Sequence, residues 1–345
     1  MKPKIVIDKN IPFIQGVFEP FASVEYVAGQ EITSEIVRDA DALIIRTRTK
    51  CDAALLDGST VQYIATATIG FNHIDTEFCR RKNICWNSAI GCNAAAVGQY
   101  VASALSYLAL HNDICWKGKT IGIVGVGHVG REVEKVAQSL GLKILRNDPP
   151  RLEKEGSAKF VSLQTIQSEA DIITFHTPLM QTGKYATWHL ADSAFFRQLQ
   201  KCPIIINCAR GGIVDENALK YGIQNHLISH IVLDCWENEP NIDMDLLHLC
   251  DLATPHIAGY SADGKANATE MSVRAVARFF GFPLENFKVK LPPKSVVHYQ
   301  KSSLQNAYLE TYPIQNDVAK LRDNPKSFED LRNHYVFRRE AIIIP

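Results

Sequence analysis

The sequence predicts an α/β protein built on parallel sheets, and three observations support this fold class. Short apolar segments recur along most of the chain with helical stretches between them, which is the order of alternating strands and helices. Several of these segments, such as IGIVGV at 121–126, are apolar almost throughout, as strands covered on both faces are. A glycine-rich loop joins that segment to a helix. We therefore expect two Rossmann-like parallel-sheet domains and a small C-terminal α+β appendage.

The first series of elements predicts a domain of its own. Five short apolar segments read as strands, with a helical stretch near 34–40: they lie at 4–7, 23–27, 42–46, 61–66 and 84–87. A helical pattern returns at 261–280 and closes at a glycine and a proline. We predict a substrate-binding domain from residues 1–93 together with 260–284.

Residues 94–110 form an uncharged helical stretch that lies between the two series. The stretch is slightly short for a membrane span and contains glutamine, serine and tyrosine. A helix buried between domains or subunits is therefore favoured over a membrane span.

A second α/β series begins at Thr120. Its expected strands lie at 120–126, 143–146, 172–176, 204–207, 231–234 and 252–253. This series predicts a nucleotide-binding domain over 94–259. From 285 to 345 the sequence is more polar and the alternation stops, which predicts a separate C-terminal domain.

Composition excludes some classes of function. The 345 residues carry 37 basic and 37 acidic side chains, and a net charge of zero argues against a general nucleic-acid or anionic-membrane surface. The nine cysteines contain no C-x-x-C pair or zinc spacing, so we expect no metal site. Free thiols and an N-terminus without a signal-peptide pattern predict a cytoplasmic protein.

The glycine-rich loop has the spacing of a dinucleotide-binding motif. Gly125, Gly127 and Gly130 follow a predicted strand and open a predicted helix, whose N-terminus offers free N–H groups to phosphates. Asp148 ends the next strand, near the offset at which an acidic residue meets the adenosine ribose. A carboxylate there repels a 2′-phosphate, so the pattern favours NAD over NADP. The alternative is a glycine turn in an α/β protein that binds no nucleotide.

Three polar residues each follow a later predicted strand: Arg210, Glu239 and His256. Alone, each has an ordinary structural interpretation as a turn residue, a solvated acid or a structural histidine. Together they supply a guanidinium for a carboxylate, a base near neutral pH, and an acid that orients the base. This set predicts hydride transfer at a 2-hydroxy acid.

Four segments resemble the D-2-hydroxyacid dehydrogenase family: GIVGVGHVG, NCARGGIVDENAL, LDCWENEP and TPHIAG. The resemblance implies two α/β domains with the active site in a cleft, and it implies Arg210, Glu239 and His256 as catalytic triad, with His256 as acid/base. It also implies a homodimer whose interface lies in the C-terminal region. The residues that it places at NAD, besides the glycines, are His128, Val129, Asp148, Thr177, Asp234 and Gly259.

A phosphorylated substrate is expected within this family. Arg46, Arg48 and Lys50 alternate after a predicted strand, so an extended segment would present them on one side. The resemblance implies substrate contacts from Thr47, Thr68 and Tyr260, and we expect Arg46 to join them. The alternatives are a solvated basic edge, a family member with another hydroxy acid such as phosphoglycerate or glyoxylate, and an NAD(H)-sensing binding protein.

Overall fold

The computed structural model describes residues 2–299 and 304–344. Its contacts divide the chain into two compact units. The first contains the residues up to 93 together with Ala262–Pro293, and the second contains Ala94–Ser261 with the described residues from Lys294 onward. Each unit has its own parallel sheet and buried core, so the predicted α/β fold is confirmed. The assignment of substrate, cofactor and dimerisation to particular segments stays a prediction.

The first unit is a parallel sheet with helices around it. Its strands are β1 (Lys4–Asp8), β2 (Ser23–Val27), β3 (Ala42–Ile45), β4 (Tyr63–Thr66) and β5 (Cys85–Ser88). Its helices are α1 (Ser34–Val37), α2 (Ala53–Leu56), α3 (Thr76–Lys82) and α11 (Ala262–Phe280). The strand order is β2-β1-β3-β4-β5, which is a flavodoxin-like order.

Apolar side chains cover both faces of this sheet. Ile5 and Ile7 of β1 lie in one buried cluster with Val273 and Val276 of α11. Val6, between them in sequence, lies in a separate cluster on the opposite face. Burial on both faces explains why these strands are apolar at nearly every position.

The second unit contains a longer parallel sheet. Its strands are β6 (Thr120–Val124), β7 (Lys143–Asn147), β8 (Ile172–Phe175), β9 (Ile204–Asn207), β10 (His230–Leu233) and β11 (Leu252–Ala253). Its helices up to residue 261 are α4 (Ala94–His111), α5 (His128–Ser139), α6 (Pro149–Glu155), α7 (Leu163–Glu169), α8 (Ser193–Arg197), α9 (Glu216–Gln224) and α10 (Met244–Leu249).

The strand order of this sheet locates a ligand site. The order is β11-β10-β9-β8-β6-β7, so β6 lies between β7 and β8 and the chain crosses from one side of β6 to the other after β7. Open parallel sheets bind ligands beyond the carboxyl ends of their strands at such a reversal. The loop that follows β6 is the glycine-rich loop.

The C-terminal region is more closely integrated than the sequence predicted. It contains α12 (Leu304–Thr311), α13 (Ile314–Asp323), α14 (Phe328–Asn333) and the parallel pair β12 (Val296–His298) and β13 (Ile342–Ile344). It does not form a separate compact unit, because α12 and α13 pack against α4. The hydroxyl of Ser103 on α4 donates to the carbonyl of Tyr312 at 2.5 Å. Residues 285–293 belong instead to the first unit.

The uncharged stretch is a helix buried within the second unit. Most residues of α4 are buried, and the helix packs against α5 and α12. None of the helices in the described part of the chain combines the length and apolar character needed to cross a bilayer.

Candidate active site

The glycine-rich loop has the close backbone packing that its sequence predicts. Gly125 has a φ of +89°, and a Cβ there would lie 2.8 Å from backbone atoms of His176 and Thr177 after β8. A Cβ on Gly130 would collide with the carbonyl of Gly125. At Gly127, the N-cap of α5, a Cβ would meet nothing within 4 Å, and no side chain caps the helix. The N–H groups that begin α5 are therefore available to an anion.

Two buried polar atoms beside this loop have no hydrogen-bond partner among the described residues. They are Nδ1 of His176 and Oγ1 of Thr177. The other ring nitrogen of His176 contacts the hydroxyl of Thr174 at 2.8 Å, and burial lowers the pKa of His176 to about 3, so its ring is neutral. Because buried polar atoms normally have partners, these two atoms, the glycine cradle and the uncapped α5 fit a bound dinucleotide.

Asp148 directly follows β7 and holds the glycine loop in place. One carboxylate oxygen accepts the N–H of Val126 at 2.9 Å, and the other accepts the N–H of Arg151 at 3.1 Å as the N-cap of α6. The carboxylate is thus fixed beside the loop. Its predicted contact with the ribose stays a proposal.

The two arginines near Asp148 are both paired with acids. Arg146 donates through Nε to Glu134 at 3.0 Å, and Arg151 donates through Nε to Glu155 at 2.6 Å. These pairs reduce the positive charge available to a 2′-phosphate, which is consistent with NAD rather than NADP.

Asp234 organises the loop that carries the predicted catalytic histidine. The side chain is 1% exposed and follows β10. Its oxygens accept the hydroxyl of Thr254 at 2.7 Å and the N–H groups of Ile257 and Ala258 at 2.7 and 2.9 Å. Burial raises the pKa of Asp234, while the charge of His256 and these hydrogen bonds lower it. The sequence predicted Asp234 only as an NAD contact and gave no sign of this role.

His256 and Glu239 lie together. Nδ1 of His256 is 2.9 and 2.8 Å from the two carboxylate oxygens of Glu239, one of which also accepts the N–H of Trp236 at 2.9 Å. Burial alone would raise the pKa of Glu239, but the hydrogen bond and the charge of His256 hold it below its usual value. His256 has a φ of 56°, a left-handed conformation that the surrounding loop must stabilise.

Arg210 lies on the adjoining loop, after β9, with its side chain exposed. The backbone beside Arg210 is close to the loop that carries Glu239, because a Cβ on Gly211 would collide with the carbonyl of Trp236. Its guanidinium donates to the carbonyl of Ala209 at 2.7 Å rather than to Glu239 or His256. The structure thus joins two of the three predicted catalytic side chains directly and places the third on a neighbouring loop.

The predicted substrate residues of the first unit lie beyond the carboxyl ends of two neighbouring strands. Thr47 follows β3 and Thr68 follows β4, and these strands are parallel neighbours. The hydroxyl of Thr68 bonds to the hydroxyl of Thr66 at 2.8 Å and to the carbonyl of Gly70 at 3.0 Å. Thr47 is exposed.

The prediction that the basic segment after β3 is extended is wrong. The N–H of Thr49 donates to the carbonyl of Arg46 at 3.2 Å, so the chain turns there and the basic side chains do not alternate along a strand. Arg46 donates through Nε to Asp8, a fully buried carboxylate, at 2.9 Å, and Lys50 pairs with Asp52 at 2.8 Å. Pairing with these acids explains why the segment is not a uniform basic edge.

Tyr260 lies close to the C-terminal region of its own unit. Its ring centroid is 5.9 Å from that of Tyr335 and 6.1 Å from that of Phe337. Arg338 donates to the carbonyls of Ile257 and Tyr260 at 3.1 and 3.0 Å, which ties the histidine loop to the same region. The sequence did not indicate these residues, because they form no motif and lie far from the loop along the chain.

The fold and the site together define an NAD-dependent dehydrogenase of 2-hydroxy acids, and comparison with known families agrees with this class. The model of the family "D-isomer specific 2-hydroxyacid dehydrogenase, NAD binding domain" matches residues 109–258. A solved structure of NAD⁺-bound 3-phosphoglycerate dehydrogenase from Entamoeba histolytica has a TM-score of 0.67 and 23% identity, and the match covers 84% of this chain and 99% of that one. A protein from Thermus thermophilus, TT0316, has a TM-score of 0.68 and 23% identity, with 81% and 97% covered. These structures share the fold.

Full-length relatives narrow the class. A Bacteroides thetaiotaomicron protein named erythronate-4-phosphate dehydrogenase is 48% identical, with 98% of this chain and 97% of the relative covered. A Porphyromonas gingivalis protein of the same name is 42% identical, with 98% and 93% covered. The chain therefore belongs to the erythronate-4-phosphate dehydrogenases within the D-isomer specific 2-hydroxyacid dehydrogenase family. It is an NAD-dependent oxidoreductase.

Proposed function

We propose that this chain oxidises the 2-hydroxyl of 4-phospho-D-erythronate to a ketone, giving (R)-3-hydroxy-2-oxo-4-phosphooxybutanoate, with NAD as acceptor. The full-length identity of 48% to a relative of that name carries the choice of substrate. The reaction is a step of vitamin B6 biosynthesis. The contact between His256 and Glu239 supports the chemistry.

His256 serves as the base in this proposal. Its Nδ1 atom is held by Glu239, which leaves Nε2 to take the proton of the substrate hydroxyl. NAD, when bound, supplies the acceptor for the hydride that leaves C2. Glu239 then stabilises the imidazolium, because its carboxylate is held in the charged form.

Arg210 and the first unit supply the remaining substrate contacts. The exposed guanidinium of Arg210 can form a bidentate pair with the substrate carboxylate and polarise the C2 oxygen. Arg46, Thr47 and Thr68 lie at one sheet edge and offer donors to the phosphate. Tyr260 contributes a further contact from the histidine loop.

The NAD site in this proposal follows the glycine loop. Its residues are Gly125, Gly127, His128, Val129, Gly130, Asp148, Thr177, Asp234 and Gly259. The uncapped N-terminus of α5 binds the pyrophosphate, and Asp148 accepts from the ribose hydroxyls. The unpartnered hydroxyl of Thr177 gains a hydrogen bond when the cofactor binds.

A homodimer in the cytoplasm completes the proposal. Apolar side chains are exposed in the C-terminal region, with Val336 at 88% and Ile342 at 46%. These side chains support a dimer surface in the C-terminal region, because a partner that covers them would remove apolar area from water. The cysteines, all free in the described structure, suit a reducing compartment.

A substrate panel with NAD tests the function. We expect NADH formation with 4-phosphoerythronate and little with 3-phosphoglycerate or glycerate. In His256→Ala, turnover falls by about 10³-fold because the base is lost, while NAD affinity measured by calorimetry is retained. Preference for phosphoglycerate would identify another enzyme of the family, and NAD binding without any turnover would identify a sensor. Loss of NAD binding in His256→Ala would contradict the role assigned to the histidine.

A further inference from the structure

One cation of the C-terminal region reaches the proposed acid–base pair. Arg332 lies on α14, and its Nη1 atom is 3.8 Å from a carboxylate oxygen of Glu239. The same nitrogen is 3.4 Å from Glu329 on the preceding turn. Burial lowers the pKa of Arg332, but Tyr260, the proposed substrate contact, and the carboxylates of Glu239 and Glu329 raise it overall.

The surroundings of Arg332 are partly removed from water. Its side chain is 23% exposed, and its Nε atom is buried with no hydrogen-bond partner among the described residues. The guanidinium lies 6.0 Å from the centre of the Phe328 ring. Burying a cation is costly unless charges or hydrogen bonds compensate. The carboxylate of Glu239 supplies part of that compensation, and an unsatisfied N–H beside it is unusual for a purely structural arginine.

We infer that Arg332 is a positioning residue for the dehydrogenase reaction, which fixes the carboxylate of Glu239 against His256 and orients Tyr260. This inference rests on the proposed function, in which His256 is the base. It assigns to the C-terminal region a part in the chemistry in addition to its proposed part in the dimer. A residue that acts through Glu239 in this way changes how His256 holds its proton.

The direction of that change follows from the charges around the pair. The cations are Arg332, Arg210 and Arg338, whose guanidinium donates to the carbonyl of Ile257. The acids are the buried Asp234, Glu239 itself and Glu329, which contacts Arg332. The Cys235 thiol is neutral near pH 7, because burial raises the pKa of Cys235 well above its usual value.

A cation near an imidazole disfavours protonation, while a carboxylate favours it. Arg332 therefore partly offsets the pull of Glu239 on the proton of His256. Its removal leaves the attraction of Glu239 for that proton unopposed. For oxidation, His256 must begin neutral, so the acidic limb of kcat/KM should move to higher pH.

The test compares Arg332→Gln with wild type over pH 5 to about 9, with 4-phosphoerythronate and NAD. We expect the acidic limb to move upward by about half a unit to one unit. Arg332→Lys keeps the charge but not the planar fork, so its limb stays near that of wild type while its KM rises. Arg322→Gln is the matched control, because Arg322 also lies in the C-terminal region and donates to the carbonyls of Cys250 and Asp251 instead.

A second readout separates this inference from the substrate assignment. The imidazole of His256 is titrated by NMR in the full-length protein without substrate, with His256→Gln used to identify its signal. An upward shift in Arg332→Gln and none in Arg322→Gln supports the inference even if 4-phosphoerythronate is not turned over. An unchanged titration in a folded Arg332→Gln protein overturns it. So does an equal shift in Arg332→Lys, which would show that the charge is not what matters.

Discussion

At the scale of single residues, the acid–base pair depends on a short contact and on the loop that aims it. Glu239 contacts His256 through both oxygens, and Asp234 accepts the N–H groups of the two residues that follow His256. Residue type and the position after a strand were enough to predict Glu239 and His256. The left-handed backbone of His256 and the anchoring by Asp234 are three-dimensional features with no local sequence signal.

Replacement of Glu239 by Gln tests this pair. Gln keeps a hydrogen-bond acceptor but removes the charge, so the imidazolium loses its stabilisation and kcat/KM falls by about 10²-fold. The loss of the charge that favours the imidazolium also moves the acidic limb of oxidation to lower pH, opposite to the shift expected for Arg332→Gln. A pH profile of initial rates measures both effects. An acidic limb that does not move would contradict the proposed pairing.

The same charge predicts a pH dependence of stability. The pKa of Glu239 is lower in the folded protein than its usual value of 4.5. Its contribution to the free energy of unfolding is therefore fully present above pH 4.5 and is lost as the pH falls through the lowered pKa. Urea unfolding of wild type and Glu239→Gln should give curves whose difference narrows below about pH 4.5. A difference that is constant with pH would argue against an ionised Glu239.

At the scale of elements, the strands were predictable because both faces of each sheet are covered. Apolar residues at nearly every position of β6 and β9 mark them as buried strands, and the glycine spacing marks the loop after β6. The turn after β3 was not predictable. Arg46 pairs with Asp8, 38 residues away, and a local pattern of alternating charges gives no sign of that distant acid.

The strand–loop–helix unit makes a prediction that separates fold from cofactor binding. Gly127→Ala adds a methyl group that meets nothing within 4 Å, so the midpoint of thermal unfolding should change little. The methyl group stands where the pyrophosphate is proposed to approach the backbone, so NAD affinity should fall by about tenfold or more. Gly125→Ala is the contrasting variant, because its φ and its close backbone neighbours predict a loss of stability as well. Calorimetric titration with NAD and thermal unfolding distinguish them; normal affinity in Gly127→Ala would remove the glycine loop from the proposed site.

At the scale of the whole molecule, the C-terminal region is tied to the histidine loop of its own unit. Besides the bonds from Arg338, the hydroxyl of Ser261 donates to the buried Glu340 at 2.9 Å, and Lys294 pairs with that carboxylate at 3.0 Å. The change in composition near residue 285 predicted a distinct region. It could not predict these contacts, because they join residues far apart in sequence.

A surface on this region should determine the oligomeric state. Val336 is 88% exposed, so Val336→Asp places a charge in water in the monomer but would bury it in a dimer that covers this surface. Sedimentation equilibrium should show a dissociation constant at least about tenfold weaker than that of wild type, since one buried unpaired charge costs several kcal/mol. Tyr221→Asp is the control, because Tyr221 is 45% exposed on α9, outside this region. Equal dissociation constants for wild type and Val336→Asp would place the dimer interface elsewhere on the chain. A wild-type protein that is monomeric in this measurement would contradict the proposed homodimer.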